Sequence, residues 1–344
     1  MSGGVDSSVA AALLKQQGHE VTGVTIRVKP ADGSSDDIHM AQRVAGKLGI
    51  AHHTVDCREV FDKEVVAHFC SEYGRGRTPN PCVRCNEFVK FAALMEKAQE
   101  LGAEFIATGH YARIALDEVS ERYQLNKGRD SGKDQSYFLY FLRQDVMGHV
   151  LLPLGDMKKN DVRNIAKSLG LASAERAESQ DVCFVASGDY RGFVGARMPL
   201  ASEPGPILDS ARNVLGRHHG ILSYTIGQRK GMGISDKQPL YVTRIDAERN
   251  AIIVGSKADV YGDELIASNL NWIEFDALEQ PIEVKAKIRY RHREDEAVVT
   301  PLSDDRVYVK FAQPQMALTP GQAVVFYHGS VVVGGGTIER AGGV

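Results

Sequence analysis

The sequence predicts an α/β protein: a doubly wound parallel sheet, then a small strand-rich central domain and a C-terminal β-barrel. Two observations lead to this prediction. Apolar segments with helical spacing alternate with short apolar strands as far as about residue 170, which is typical of a parallel sheet with helices on both faces. Beyond 198–206, a stretch rich in Pro, Gly and Ser, helical periodicity does not return. We therefore expect domains at 1–200, 201–266 and 267–344.

Each element follows from spacing and from the residues that end it. The predicted order is helix 9–17, strand 24–28, helix 38–48, strand 53–56, helices 60–73 and 88–101, strand 105–108, a hairpin of 111–115 with 122–126, and helix 161–169. Gly18, Gly49 and Gly170 follow three of the helices, as glycine commonly does at a helix C-terminus. From about 267 onward, strands separated by turn residues predict a small barrel.

The first eight residues, Met-Ser-Gly-Gly-Val-Asp-Ser-Ser, predict an anion-binding loop. Small residues let backbone N–H groups turn toward one phosphate, and the first turn of the next helix adds unpaired N–H groups. Gly-Lys-Ser/Thr is absent, so this is not a Walker A loop. The alternative is a Ser-Gly helix cap at a flexible N-terminus. In a parallel sheet the loop would share the carboxyl edge with Thr108, Gly109 and His110.

A loop of this kind normally follows a buried strand. Here Met1 is the single residue before Ser2. We therefore expect the first strand to be truncated, with the start of the sequence about one strand too late.

Composition and charge narrow the class of protein. The 344 residues are 43 % hydrophobic and 25 % charged, as in ordinary soluble proteins, and contain neither a signal peptide nor a membrane-length apolar run. We therefore expect a cytoplasmic protein. Because the net charge is -3, a nucleic-acid partner would have to bind local basic patches. Five cysteines in so long a chain favour reactive or metal-binding thiols over a disulfide framework.

Cys82 and Cys85 lie at the entrance to the 88–101 helix, three residues apart and nearly on one face. A helix N-terminus together with Arg77 and Arg84 would favour the thiolate form of both. The alternatives are a thioredoxin-like redox pair or half of a zinc site, although no second pair of ligands is evident.

The remaining cysteines give weaker signals. Cys183 follows a polar segment and begins a short apolar run, so the residues by themselves favour a buried strand cysteine. Cys57 and Cys70 lie in apolar or helical patterns and are expected to be structural.

Basic residues alternate along 285–293. Cations at 285, 287, 289, 291 and 293 would all project from one side of a strand. A phosphate backbone is the partner that such a face favours. The alternative is a solvated face neutralised by Glu294, Asp295 and Glu296.

Motifs along the whole chain resemble one family, in one order. They are Ser-Gly-Gly-Val-Asp-Ser-Ser at 2–8, Gly-Arg-Thr-Pro-Asn-Pro at 76–81, Ala-Thr-Gly-His-Tyr at 107–111, Lys-Asp-Gln-Ser-Tyr-Phe-Leu-Tyr at 133–140, Ser-Gln-Asp-Val-Cys-Phe at 179–184, Gly-Gln-Arg-Lys-Gly at 227–231 and Thr-Pro-Gly-Gln at 319–322. The chain resembles the MnmA family of bacterial tRNA-specific 2-thiouridylases. This resemblance implies an ATP pyrophosphatase-type first domain, and an enzyme that uses ATP, Mg²⁺ and a sulfur-donor protein to convert the wobble uridine of tRNA to 2-thiouridine.

The same resemblance assigns roles to residues. ATP would contact Met1, Ser2, Gly3, Gly4, Val5, Asp6, Ser7, Ile26 and Gly109. Transfer RNA would contact Asn80, Pro81, Cys82, His110, Lys133, Asp134, Gln135, Arg289, Tyr290 and Gln322. Sulfur would arrive as a persulfide on Cys183, and Cys85 would act as second nucleophile and form a disulfide with Cys183. From the residues, His110 could otherwise be a strand-end histidine without a special role.

At Cys82 the sequence departs from the usual family pattern, in which an aspartate follows Asn-Pro. A third thiol opens a second possibility, a 4Fe-4S cluster held by Cys82, Cys85 and Cys183 with one iron open to carry sulfide.

Two other functions remain as alternatives. An ATP pyrophosphatase that adenylates a small molecule leaves the thiols unused, and a non-catalytic RNA-binding or redox module leaves the opening loop unused.

Overall fold

A computed structural model describes residues 1–29, 31–174, 182–185, 189–234, 238–303 and 305–342, with the side chains of 31–35 left out. The first domain contains the elements α1 (Val5–Gln16), β1 (Thr22–Arg27), α2 (Ala31–Leu48), β2 (Ala51–Asp56), α3 (58–74), α4 (81–101), β3 (Ile106–Ala107), β4 (Ala112–Asp117), β5 (Arg122–Lys127), α5 (Gln144–Met147), β6 (Val150–Leu151) and α6 (Lys159–Ser168). The predicted alternation of helices and strands in this part is confirmed.

Among the described residues of the first domain, two separate pairs of strands run parallel. β1 runs parallel to β2, from Thr22 opposite Ala51 to Arg27 opposite Asp56, and β3 runs parallel to β6. Met1 lies beside β1, where its amino group donates to the Val24 carbonyl. Buried apolar residues of α1, α2 and α6 form one core, listed here: Val5, Val9, Ala10, Val44, Val162 and Ala166. This core holds these three helices of the first domain together.

Helices α3 and α4 each contain a segment with the wider π-type turn, at Asp62–Ala67 and Cys85–Phe91. The prediction that the second helix starts near Phe88 was wrong, because the chain is already helical from Pro81. Asn80 accepts a hydrogen bond from the Val83 N–H (3.4 Å) and Pro81 takes the first helical position, two features that start helices. Both thiols thus lie inside α4, and Cys85 begins the π segment.

The central region begins with α7 (Tyr190–Gly195) and continues as a four-stranded sheet in the order β8-β7-β10-β9. Its strands are β7 (Gly205–Leu208), β8 (Val214–His218), β9 (Tyr241–Asp246) and β10 (Ala251–Gly255). Buried Ile207, Val242 and Ile252 share one core with Phe61 and Val89 of the helices α3 and α4. This sheet therefore supports the helix that carries the thiols.

The C-terminal strands close into a six-stranded barrel in the order β11-β14-β13-β12-β15-β16, with β16 returning to β11. They are β11 (Tyr261–Trp272), β12 (Ile282–Lys287), β13 (Asp295–Pro301), β14 (Val307–Met316), β15 (Ala323–His328) and β16 (Val331–Ala341). The hairpin of β4 and β5 joins the same sheet, because Asn126 of β5 pairs with Val331 of β16. The barrel was predicted; the pairing of the first domain with it was not.

The prediction of five cations on one strand face was wrong. Strand β12 ends at Lys287, and residues 288–292 form bends and a turn. Lys285, Arg291 and Arg293 are exposed, whereas Lys287 and Arg289 are half-buried against the first domain. No helix in the ranges given above is long and apolar enough to cross a membrane.

Candidate active site

The opening loop folds back on itself through its hydroxyl groups. Ser7 Oγ accepts from the Ser2 N–H (3.0 Å) and donates to the Gly4 carbonyl (3.3 Å), while Ser2 Oγ accepts from the Gly4 N–H (3.4 Å). Gly3 has φ +70°, which a glycine adopts without strain. Gly4 precedes α1 and supplies no side chain to cap it, so the first-turn N–H groups of α1 have no partner within their own helix. Unpaired N–H groups at a helix N-terminus are favourable toward anions.

Gly109 lies directly against the start of α1. A Cβ atom at this position would be 2.8 Å from both the Asp6 carbonyl carbon and the Ser7 nitrogen, closer than real Cβ contacts. Gly109 follows β3, so the expected meeting of the loop with residues 108–110 at the carboxyl edge is confirmed. Glycine is needed here because two backbones touch.

Asp6, in the first turn of α1, accepts three hydrogen bonds from two donor groups. Lys159 Nζ lies 2.7 Å from each of its carboxylate oxygens, and the Tyr111 hydroxyl donates to Oδ1 at 2.8 Å. Lys159 is buried although it is a lysine, and its Nζ is 5.6 Å from the centre of the Tyr111 ring. The loop therefore has a cation beside it after all, supplied from α6.

The three thiols singled out above lie near one another. Cys85 is buried, while Cys82 and Cys183 are exposed, and all five cysteines are free thiols. Burial raises the pKa of Cys85 to about 11; Lys90 opposes this shift, and charges on Cys183 and Cys82 add to it. Burial by neighbouring protein also raises the pKa of Cys82, although its side chain reaches solvent. These mutual effects show that the three sulfurs are within electrostatic range.

The expected thiolate form of Cys82 and Cys85 was therefore wrong for the free protein. The two arginines that were expected to stabilise the thiolates are paired with carboxylates instead. Arg77 donates to Glu72 (2.7 Å), and Arg84 pairs with Glu64 (3.1 Å) and stacks on Phe88. Loss of water from the buried sulfur outweighs the helix N-terminus.

Cys183 lies in a short turn, so its prediction as a buried strand cysteine was wrong. The neighbouring Phe184 makes the buried contact instead, with ring centres 5.5 Å from Phe61, 5.3 Å from Phe69 and 5.5 Å from Phe193. The turn is thus anchored by one side chain while the adjacent thiol faces solvent. The preceding part of this motif, 179–181, lies outside the described residues.

The cluster hypothesis needs three cysteines around one metal centre. Across the part of the chain that the structure describes, which includes Cys82, Cys85 and Cys183, no three His, Cys, Asp or Glu side chains are arranged to hold a metal ion. The residues as arranged do not fit a cluster.

Most side chains expected to meet RNA also have partners within the protein. Asp134 is buried and accepts from the N–H groups of Gly128 (3.0 Å) and Ser136 (3.1 Å). Gln135 exchanges hydrogen bonds with the Tyr111 backbone, through Oε1 (3.0 Å) and its own N–H (2.8 Å). These two residues shape the segment that presents Lys133.

His110 stacks on Phe91 with ring centres 5.9 Å apart, and its Nδ1 lies 2.8 Å from the Thr108 hydroxyl. Burial, aided by Lys90, lowers its pKa to about 3, so the imidazole is neutral at physiological pH. A neutral ring can stack or share a hydrogen bond but does not attract phosphate by charge.

The barrel places Arg289 and Tyr290 against the first domain. Tyr290 packs on Phe138 with ring centres 4.5 Å apart, and Lys287 lies 5.7 Å from the centre of the Tyr290 ring. Arg289 donates to the Met316 carbonyl (2.6 Å), but its buried Nε has no hydrogen-bond partner within the described part of the chain. Burial lowers the pKa of Lys287 and of Arg289. At this junction Lys287 therefore lies over aromatic rings, and Arg289 is held by a backbone carbonyl.

Gln322, another expected RNA contact, is engaged with the backbone of the first domain. Its Nε2 donates to the carbonyls of Thr78 (2.9 Å) and Pro79 (3.2 Å), just before α4. The Thr78 N–H donates to the Pro320 carbonyl (2.9 Å), so hydrogen bonds run in both directions between this segment and the barrel. The barrel thus fixes the segment that leads into the thiols.

Comparisons with known proteins bear on what this site is. Three family profiles match in order: "tRNA methyl transferase HUP domain" over 1–187, "tRNA methyl transferase PRC-barrel domain" over 192–256 and "Aminomethyltransferase beta-barrel domain" over 262–338. A tRNA-specific 2-thiouridylase MnmA 1 of Caldanaerobacter subterraneus subsp. tengcongensis is 53 % identical, over 99 % of this chain and 96 % of that relative. The chain belongs to the MnmA family of tRNA-specific 2-thiouridylases.

A second MnmA relative, from Acetivibrio thermocellus, is 47 % identical over 98 % of each chain. Among solved structures, the U34-tRNA thiolase NcsA from Methanococcus maripaludis with its [4Fe-4S] cluster covers 57 % of this chain and 62 % of its own, at 19 % identity and TM-score 0.35. That likeness is too low to bear on the thiols of this MnmA-family chain.

Two site residues of this MnmA-family chain were missed from the sequence. Lys159 is 153 residues from Asp6, and nothing in a Lys-Lys-Asn-Asp helix start indicates that its ammonium reaches the opening loop. Lys90 affects the pKa of Cys82, Cys85 and His110 together, but it is five residues from Cys85, a spacing that brings side chains together only in the π-type turn seen here.

Proposed function

We propose that this chain uses ATP to convert the wobble uridine of tRNA to 2-thiouridine, with adenylation of the C2 oxygen and transfer of sulfur from a cysteine persulfide. The observation that carries the proposal is that the opening loop and the thiols both adjoin residues that follow parallel strands. Gly109, after β3, contacts the loop, and Cys57, directly after β2, shares a buried core with Cys85. The membership of the family supports it.

The first step replaces a poor leaving group. The C2 oxygen of uridine attacks the α-phosphorus of ATP, AMP is transferred and pyrophosphate leaves. Met1 to Ser7, Ile26 and Gly109 would hold the nucleotide, with first-turn N–H groups stabilising the charge on pyrophosphate. Mg²⁺ would enter with the phosphates. In the described ranges no group of three His, Cys, Asp or Glu side chains is arranged to hold a metal, and phosphate and water oxygens would be the main ligands of Mg²⁺.

The second step uses the exposed and the buried thiol differently. The terminal sulfur of a Cys183 persulfide attacks C2, and AMP leaves. The Cys85 thiolate then attacks the Cys183 sulfur, which forms a Cys85–Cys183 disulfide and frees the C2 thiocarbonyl; an external reductant restores both thiols. Exposure of Cys183 suits loading by a sulfur-donor protein. Because the pKa of Cys85 is about 11, its proton must be removed in the complex before it attacks.

Asn80, Pro81 and Cys82 at the start of α4 would border the target base, which must leave its stack to reach Cys85. Lys133 and the Arg289–Tyr290 pair would hold the tRNA from two sides. We place catalysis in residues 1–200, support of the thiol helix in 201–266 and RNA binding in 267–344. Since its substrates are tRNA and ATP, the reaction belongs in the cytoplasm.

The test measures AMP, pyrophosphate and 2-thiouridine formed from ATP, tRNA and a sulfur-donor protein that carries a persulfide. We expect AMP formation that requires tRNA, loss of thiolation in Cys183→Ser and Cys85→Ser, and retained tRNA-dependent release of pyrophosphate in Cys183→Ser. AMP formation that ignores tRNA would instead favour a small-molecule substrate, and tRNA binding without any AMP would favour a non-catalytic module.

Iron analysis of anaerobically purified protein separates the two sulfur routes. Full activity after chelation, with no iron bound, is the result expected for the persulfide route. Activity that is lost with iron and restored with it would replace that route with the cluster.

A further inference from the structure

We propose that Lys159 belongs to the ATP phosphate site, where its ammonium cancels the charge of Asp6 so that the opening loop accepts an anion. This inference rests on the proposed use of ATP. It names a residue of α6 that lies 153 positions from the loop it serves.

The need for a cation follows from where Asp6 lies. Phosphates bound by the first-turn N–H groups of α1 would stand beside the carboxylate in that same turn. Two anions in contact repel, and the repulsion grows when water is displaced. A loop with an uncompensated Asp6 would therefore oppose the ligand that its backbone attracts.

Lys159 is held in the position that removes this repulsion. Its Nζ is 2.7 Å from both oxygens of Asp6, and its side chain is 9 % exposed. The backbone N–H of Lys159 donates to Asp130 Oδ2 (2.9 Å), which fixes the first turn of α6. The Asp6 side chain keeps 34 % exposure, so the carboxylate still reaches solvent. The ammonium is thus buried and directed at the loop, as a surface lysine would not be.

A purely structural ion pair between α1 and α6 would look similar, so the test separates ATP affinity from stability. Lys159→Met leaves Asp6 uncompensated. The double variant Asp6→Asn with Lys159→Met removes both charges while keeping similar side-chain volumes. Lys158→Met is the matched control, because Lys158 is the exposed neighbour and its loss changes the net charge equally.

ATP dissociation constants are measured by titration calorimetry with Mg²⁺ fixed, and thermal unfolding without ATP is followed for each variant. Wild-type protein that fails to bind ATP would refute the proposed function itself. With wild-type binding established, we expect Lys159→Met to weaken ATP binding by about tenfold or more, the double variant to return to within about threefold of wild type, and Lys158→Met to match wild type.

Affinity within about twofold of wild type in Lys159→Met would overturn the inference, as would a double variant no better than Lys159→Met. If Lys159→Met does not fold, Asp6→Asn with Lys159 intact decides. Its loop is more positive than that of the wild type, so ATP must bind at least as tightly, and weaker binding would overturn the inference.

Discussion

At the scale of single residues, the reactivity of Cys85 depends on how little water reaches it. The start of a helix and two nearby arginines predict a thiolate, yet the fold turns both arginines toward carboxylates and buries the sulfur. Of the cations near the thiols, Lys90 is the one that lowers the pKa values of Cys82 and Cys85, and its Nζ is hydrogen bonded to Asn86 (3.0 Å). Cys85 is therefore protonated until substrate changes its surroundings.

We expect alkylation of Cys85 by iodoacetamide to rise about tenfold per pH unit between pH 7 and 10, because its pKa is about 11. An ordinary thiol, with a pKa near about 8.5, would stop accelerating above about pH 9. The rate is measured by peptide mass spectrometry in a Cys82→Ser, Cys183→Ser background. Lys90→Met should lower the rate at pH 9, and a plateau at pH 9 in the parent would contradict the buried state.

His110 predicts an acid-dependent loss of stability. Its folded pKa of about 3 lies below its ordinary value of 6.5, so between these pH values the unfolded chain binds a proton that the folded chain does not. The free energy of unfolding should therefore fall as pH drops below 6.5, by up to about 1.4 kcal/mol per pH unit for this group.

Urea unfolding of wild type and His110→Gln at pH 7.5 and 5.0 measures this contribution. Burial also lowers the pKa values of His52, His68, His218 and His292, so both proteins lose stability in acid. The variant should lose less. Equal losses would show that His110 is not buried as a neutral ring.

At the scale of elements, the sequence predicts helices and strands well, because their apolar spacing and end residues are local. Helix α1, strands β1 and β2 and the β4–β5 hairpin all fall near their predicted places. The start of α4 was missed because the apolar spacing begins at Phe88, whereas Asn80 and Pro81 start the helix two turns earlier.

The sites were predicted less well, for a physical reason. Motifs identify the opening loop, Gly109 and the thiols, but the partner of Asp6 depends on how α6 packs against α1. The burial of Cys85 likewise depends on the central sheet behind α4. Contacts between residues so far apart in the chain leave no periodic signal in the sequence.

The contact between Gly109 and α1 gives a prediction at this scale. Gly109→Ala places a methyl group 2.8 Å from the backbone of Asp6 and Ser7, so the start of α1 must shift. We expect ATP affinity, measured by calorimetry, to fall about tenfold or more, since N–H groups must converge on one phosphate.

Gly46→Ala is the matched control for this substitution. Gly46 is exposed on α2, and a Cβ there meets nothing within 4 Å. This change should leave ATP affinity intact and stabilise the fold by about 0.5 to 1 kcal/mol, as alanine does in a helix. Equal ATP affinity in both variants would show that the close approach is unimportant.

At the scale of the whole molecule, the first domain and the barrel are joined by a common buried core. Val83 and Phe91 of α4 and Leu125 of the hairpin share a buried core with Ala323 and Val325 of the barrel. Arg77 adds polar ties, donating to Glu72 (2.7 Å) and to the carbonyls of Ile338 and Glu339 (3.3 Å each).

We expect Arg77→Met to destabilise the protein by on the order of 2 kcal/mol, because buried Glu72 loses its close partner and two barrel carbonyls lose a donor. The measurement is urea unfolding, followed by fluorescence and circular dichroism. Arg75→Met is the control: Arg75 also faces Glu72, at 3.7 Å, but is 71 % exposed, so its loss should cost less than about 0.5 kcal/mol. Equal losses of unfolding free energy in the two variants would show that the contacts of Arg77 with the barrel do not add stability.

The contacts between the first domain and the barrel also govern how this protein can be recombined with its relatives. A crossover placed between residues 256 and 262, where the sequence profiles separate, would exchange a barrel whose β16 is paired with β5 and whose Gln322 holds Thr78 and Pro79. Any parent supplies these backbone groups, so the side-chain contacts decide: Lys127 with Glu294, and Leu125 with Val325 in their shared core. A chimera should therefore take the barrel together with residues 112–127 from the same parent.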